Sequence, residues 1–101
     1  MMFTMFAGID FTAYALFDGS CGKNVTYTFS STTGVLTISG SGAMTDYETK
    51  TAPWQAYKNQ IKKVVIGKDI TYVGQFSFMQ CTKLEEVVFE KDSKLETIGW
   101  G

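Results

Sequence analysis

The 101-residue chain contains no histidine. This removes the side chain most often used as general base, as metal ligand and as charge switch near neutral pH. Cysteine occurs twice, at Cys21 and Cys81, far apart and without CxxC spacing. Zinc-binding and thioredoxin-like readings therefore have no support, while one Cys21–Cys81 bridge and two packed free thiols both stay open. An excess of charge is missing too. With 9 basic and 10 acidic residues, and no like-charged block long enough to track a phosphate backbone, a nucleic-acid partner is not expected. Nothing calls for a cofactor.

The first seventeen residues, MMFTMFAGIDFTAYALF, lack lysine and arginine. A secretory signal wants a basic start and an unbroken apolar stretch, whereas Asp10 interrupts here and the first basic residue is Lys23. The run is also too short and too broken for a membrane span. Residues 1–17 read as an extra apolar strand or a disordered start, with a weak signal peptide as the alternative.

Hydrophobic residues make up 45% of the chain and charged ones 19%, a globular balance sufficient for one modest core. In NVTYTF, Val25, Tyr27 and Phe29 alternate with threonines; in GVLTIS, Leu36 and Ile38 alternate with Val35, Thr37 and Ser39. The two runs predict a β-hairpin closed by the SSTTG loop. The single proline, Pro53, opens APWQAYKNQI, where Trp54, Tyr57 and Ile61 fall at helical spacing. This predicts a short helix of two or three turns that buries Trp54.

A repeat then appears. Ile61, Val64 and Ile66 recur as Leu84, Val87 and Phe89 at an offset of 23, and Ile70, Val73 and Gly74 recur as Leu95, Ile98 and Gly99 at an offset of 25. A period in the low twenties that opens apolar-x-x-apolar-x-apolar is the leucine-rich-repeat pattern, with one short strand per coil. One coil cannot bury its own apolar side, so coils stack and share a core. The fold class expected is α+β and β-rich: a hairpin-and-helix cap over residues 18–60, then a leucine-rich-repeat solenoid over residues 61–101 whose second copy is incomplete.

The segments CGKNVTYTF, GVLTISGSGAMTDY, APWQAYKNQIKKVVIG and VGQFSFMQCTKLEEVVF together resemble the N-terminal cap and first repeats of the BspA-like leucine-rich-repeat surface proteins. The repeat's IGxxAFxxC element reads here from Val73 to Cys81, with valine for isoleucine and serine for alanine. The resemblance covers residues 18–101 and implies a non-catalytic protein at the cell surface that adheres to host-matrix or other host-surface proteins. It carries no catalytic residues, and it implies that Cys81, and less directly Cys21, is a packed structural thiol. An intracellular scaffold, or a fragment without independent function, is the alternative reading.

Strand alternation selects the side chains that could meet a protein partner. With Ile61, Val64 and Ile66 inward, Lys63 and Val65 point out, and Glu86, Val88 and Glu90 do so in the next copy. Parallel stacking sets Lys63 beside Glu86 and Val65 beside Val88. The acidic group of Glu85, Glu86, Glu90 and Asp92 reads as solvated surface, since paired carboxylates need a walled site to divide their proton affinities. GSG at residues 40–42 reads as a turn, and the Asn24 acceptor triplet remains open as a glycosylation site. The strand around Val87 to Phe89 leaves an uncovered edge, a route to homo-oligomers.

Overall fold

A computed structural model describes residues 16–48 and 51–101 of the chain. The reading of the apolar N-terminal segment lies, for residues 1–15, outside the described residues. Among the described residues eight strands form: β1 (Leu16–Gly22), β2 (Val25–Ser30), β3 (Val35–Gly40), β4 (Gly42–Ala43), β5 (Lys63–Ile66), β6 (Ile70–Val73), β7 (Glu86–Phe89) and β8 (Thr97–Ile98). They assemble into a five-stranded sheet ordered β1-β2-β3-β5-β7 and a three-stranded sheet ordered β4-β6-β8. Three antiparallel strands open the first sheet, and β5 and β7 continue it in parallel. The second sheet is parallel throughout.

Strand register explains the core. One inward row runs Phe17, Phe29, Leu36, Val64, Val87; a second runs Gly19, Tyr27, Ile38, Ile66, Phe89. Phe29, Leu36, Val64, Ile38 and Ile66 are fully buried and meet Met44, Ile70 and Val73 from the second sheet in one cluster. Each such side chain contributes about 1.5–3 kcal/mol by leaving water. Gly19 supplies no side chain because the Tyr27 ring occupies that space: a Cβ there would lie 3.1 Å from the ring.

The expected helix is not formed. Among the described residues only Gln55–Tyr57 is helical, and as a 3-10 turn. The backbone bonds across the segment all close three residues back: Gln55 N–H to Ala52, Tyr57 N–H to Trp54, Lys58 N–H to Gln55 and Gln60 N–H to Tyr57. Side-chain anchoring overrides helix periodicity here. The Trp54 Nε1–H donates to the Ser77 carbonyl at 2.6 Å and Gln55 Nε2 donates to the Met79 carbonyl at 2.9 Å, fixing the segment to the next coil. A 3-10 path rises faster per residue than an α-helix, which suits a short crossing back to β5. The described residues are therefore strand-rich with almost no helix.

Trp54 is nonetheless fully buried, as its spacing suggested. Tyr27 and Tyr47 meet its ring edge-on at 5.2 and 5.9 Å, and Phe78 stacks at 5.8 Å. The hairpin also gains a strand: β1 packs outside β2, with Asp18 opposite Thr28.

Candidate interaction surfaces

The outward rows of the five-stranded sheet follow from the same register. One runs Ser30, Val35, Lys63, Glu86; the next runs Asp18, Thr28, Thr37, Val65, Val88. The structure thus brings Lys63, Val65, Glu86 and Val88 onto one face. Lys63 Nζ lies 3.9 Å from Glu86 Oε1, with the two side chains 41% and 60% exposed. Both valines are half-buried and form a short apolar strip between charged and hydroxyl side chains. Glu90 lies just past β7, where its Oε1 accepts the Lys68 backbone N–H at 3.0 Å. That carboxylate therefore also ties the turn of the preceding coil.

A second surface lies beside β7 and β8, the last strands described. Ile66, Val73, Phe78, Val87, Phe89 and Ile98 line a groove of about 290 Å³, and every one of them is apolar. Val87, Phe89 and Ile98 are 42%, 40% and 60% exposed. The periodicity marked Val87 and Phe89 as core positions, and so they are in register. What exposes them is the lack of a covering strand on the far side of β7 and β8 among the described residues.

Polar linkages tie the coils together. The Tyr72 hydroxyl donates to Asp46 Oδ1 at 2.5 Å, and the Gln75 backbone N–H donates to the same oxygen at 2.8 Å. The Tyr72 hydroxyl bond, then the Gln75 amide bond, hold the Asp46 carboxyl below its ordinary range, and the bond to Asp46 raises Tyr72. Sequence spacing offered no signal for this pair.

Both thiols are free, so the bridged alternative falls away. Burial pushes the Cys21 thiol up to about 11. Burial also raises Cys81, with Lys58 opposing it. Thiols so held are poor nucleophiles. Cys81 is half-buried rather than enclosed. Asn24 is exposed in the turn between β1 and β2. Among the described residues no three His, Cys, Asp or Glu side chains gather as a metal site, and no helix is long and apolar enough to cross a membrane.

No protein-family model matches the chain, and no curated protein does. Among solved structures, a leucine-rich repeat protein from Eubacterium ventriosum is similar: the TM-score is 0.78 and the identity 30%, over 86% of this chain. The chain spans 23% of that protein's length. The likeness matches the fold of the described residues to that of a leucine-rich repeat protein.

Proposed function

We propose that the chain is a non-catalytic protein-interaction module, a BspA-like leucine-rich-repeat solenoid acting at the cell surface in adhesion to host-matrix or host-surface proteins. Its contact face is the outward side of the five-stranded sheet, with Val65 and Val88 at the centre and Lys63, Glu86 and Glu90 around them. The observation that carries this reading is the register that sets Lys63 beside Glu86 and Val65 beside Val88 on one accessible face. A protein contact wants such an apolar centre with a polar rim. The likeness to a leucine-rich repeat protein supports the interaction role, and the resemblance to BspA-like proteins motivates the surface and adhesion parts.

The shifts of Cys21, Asp46, Tyr72 and Cys81 fit a non-catalytic role, because burial accounts for the two thiols and structural hydrogen bonds account for Asp46 and Tyr72. A pull-down of candidate matrix proteins tests the reading, comparing the native chain with Val65→Glu. A captured matrix protein lost on substitution is the expected result. Capture that is indifferent to Val65→Glu removes the face from the proposal. Protease accessibility of the tagged product on intact cells tests location, and full protection would mean an intracellular scaffold.

A further inference from the structure

We infer that a small polar pocket on β1 and β2 takes a lysine side chain of the partner protein. This rests on the reading of the sheet's outward side as the contact face and adds a charge requirement to it. The pocket, about 290 Å³, is lined by Asp18, Gly19, Thr26, Tyr27 and Thr28. Across the antiparallel ladder Asp18 pairs with Thr28, Gly19 with Tyr27 and Ser20 with Thr26. Alternation therefore puts the Gly19–Tyr27 backbone at the floor and the side chains of Asp18, Thr26 and Thr28 around it. Such a volume lies at the small end for ligand pockets and suits one side chain rather than a larger molecule.

Charge identifies the occupant. Of the outward carboxylates, Glu86 already faces Lys63, and Glu90 accepts the Lys68 backbone N–H. Asp18 is exposed, and among the described residues no lysine lies within ion-pair distance of it. A lysine ammonium offers N–H donors and no acceptor, which suits a carboxylate flanked by two threonine hydroxyls. A sugar would find no ring to stack on, because the outward rows carry no aromatic side chain and the Tyr27 ring turns inward over Gly19. A metal ion would find a single carboxylate. Asp18 also shares its row with Thr28, Thr37 and Val65. The partner must therefore carry its lysine about 14 Å from the apolar group that meets Val65, the distance of three strand spacings at roughly 4.8 Å each.

A displayed library of random peptides, panned against the 101-residue protein, tests this. Enriched peptides are expected to carry a lysine, and Asp18→Asn should weaken their binding about fivefold, the upper end for one exposed charge pair. Added salt should narrow that difference. Asp18→Lys should turn the preference to peptides with glutamate in place of that lysine. Circular dichroism checks that both variants at this exposed position remain folded. Val65→Glu separates the pocket from the face on which the inference rests. Binding lost in Val65→Glu but unmoved by Asp18→Asn keeps the face and overturns the pocket; binding weakened by Asp18→Asn but indifferent to Val65→Glu keeps the pocket and removes Val65 from the contact. No enriched peptide, enriched peptides without lysine, or equal affinity for the native chain and Asp18→Asn would each overturn the inference.

Discussion

Gly74 packs directly against the Thr45 carbonyl: a Cβ at Gly74 would be driven into that oxygen. The recurrence of glycine at Gly99 has the same cause. There a Cβ would lie 2.6 Å from both the Gln75 nitrogen and the Tyr72 hydroxyl. The repeated glycine therefore marks where one coil's backbone lies against its neighbour's. Gly74→Ala is expected to cost about 3 kcal/mol, the upper end of overpacking. Gly42→Ala is the control: its φ is +94° with nothing within 4 Å of the added carbon, so only backbone strain of about 1–2 kcal/mol applies. Urea melts of both variants check the ranking, and equal losses would mean that contact with Thr45 is not the cause.

Trp54 joins the early strands to the first full coil through its rings and its Nε1–H···O bond to Ser77. Trp54→Ala should cost about 3–5 kcal/mol as a large-to-small core change. Trp54→Phe should cost less but still about 1–3 kcal/mol, because the Ser77 carbonyl loses its buried donor. In a Trp100→Phe background the remaining indole should emit in the blue and resist quenching by iodide. Emission like that of free tryptophan would remove Trp54 from the core.

The Lys63–Glu86 pair should matter little to stability. At 3.9 Å and largely exposed, it falls in the class of surface pairs worth about 0–1 kcal/mol. Single alanine substitutions at either position should shift the urea midpoint only marginally, and the shift should vanish in high salt. A loss above about 2 kcal/mol would show that this outward row carries structural weight.

The stacking of these strands was legible because it rests on apolar period and offset. Lys63 opposite Glu86 and Val73 opposite Ile98 both follow from aligning the two copies. The burial of Trp54 was legible for the same reason. Its surroundings were not. A helix was expected because Trp54, Tyr57 and Ile61 share helical spacing, but long-range bonds to Ser77 and Met79 set the path. β1 was hidden because Gly19 takes an inward position that alternation assigns to a hydrophobe. The Asp46–Tyr72 bond joins polar residues 26 positions apart, a separation that no local pattern encodes.

Asp46 and Tyr72 make the fold sensitive to pH at both limits. The folded Asp46 carboxyl lies below its ordinary value, so its contribution is present above the carboxylate range, about pH 4, and is lost as pH falls through the folded value. Tyr72 is raised, so its contribution is present below about pH 10 and is lost as pH rises through the folded value. Melting temperatures of the native chain should decline at both ends. Asp46→Asn should lower the plateau and flatten the acid limb, and Tyr72→Phe should flatten the alkaline one. An unchanged acid limb in Asp46→Asn would assign that limb to other carboxylates.

Stability should also fall along the stack, from the paired strands toward β7 and β8. The inward row makes the case: Ile38 and Ile66 are fully buried while Phe89, at the same position one coil on, is 40% exposed; Val73 is 5% exposed while Ile98 is 60% exposed. Equivalent truncations should therefore differ. Ile66→Ala should cost about 2–5 kcal/mol. Ile98→Ala should cost under about 1 kcal/mol, since most of its surface already meets water and little transfer free energy is lost. Local openings near the end should be correspondingly cheap. Hydrogen exchange of the monomeric chain should show slow amides in β2, β3 and β5, intermediate ones in β6, and the fastest in β7 and β8. Protection of β7 equal to that of β3, at a concentration where the chain is monomeric, would mean that the groove is closed in solution and that stability does not fall along the stack.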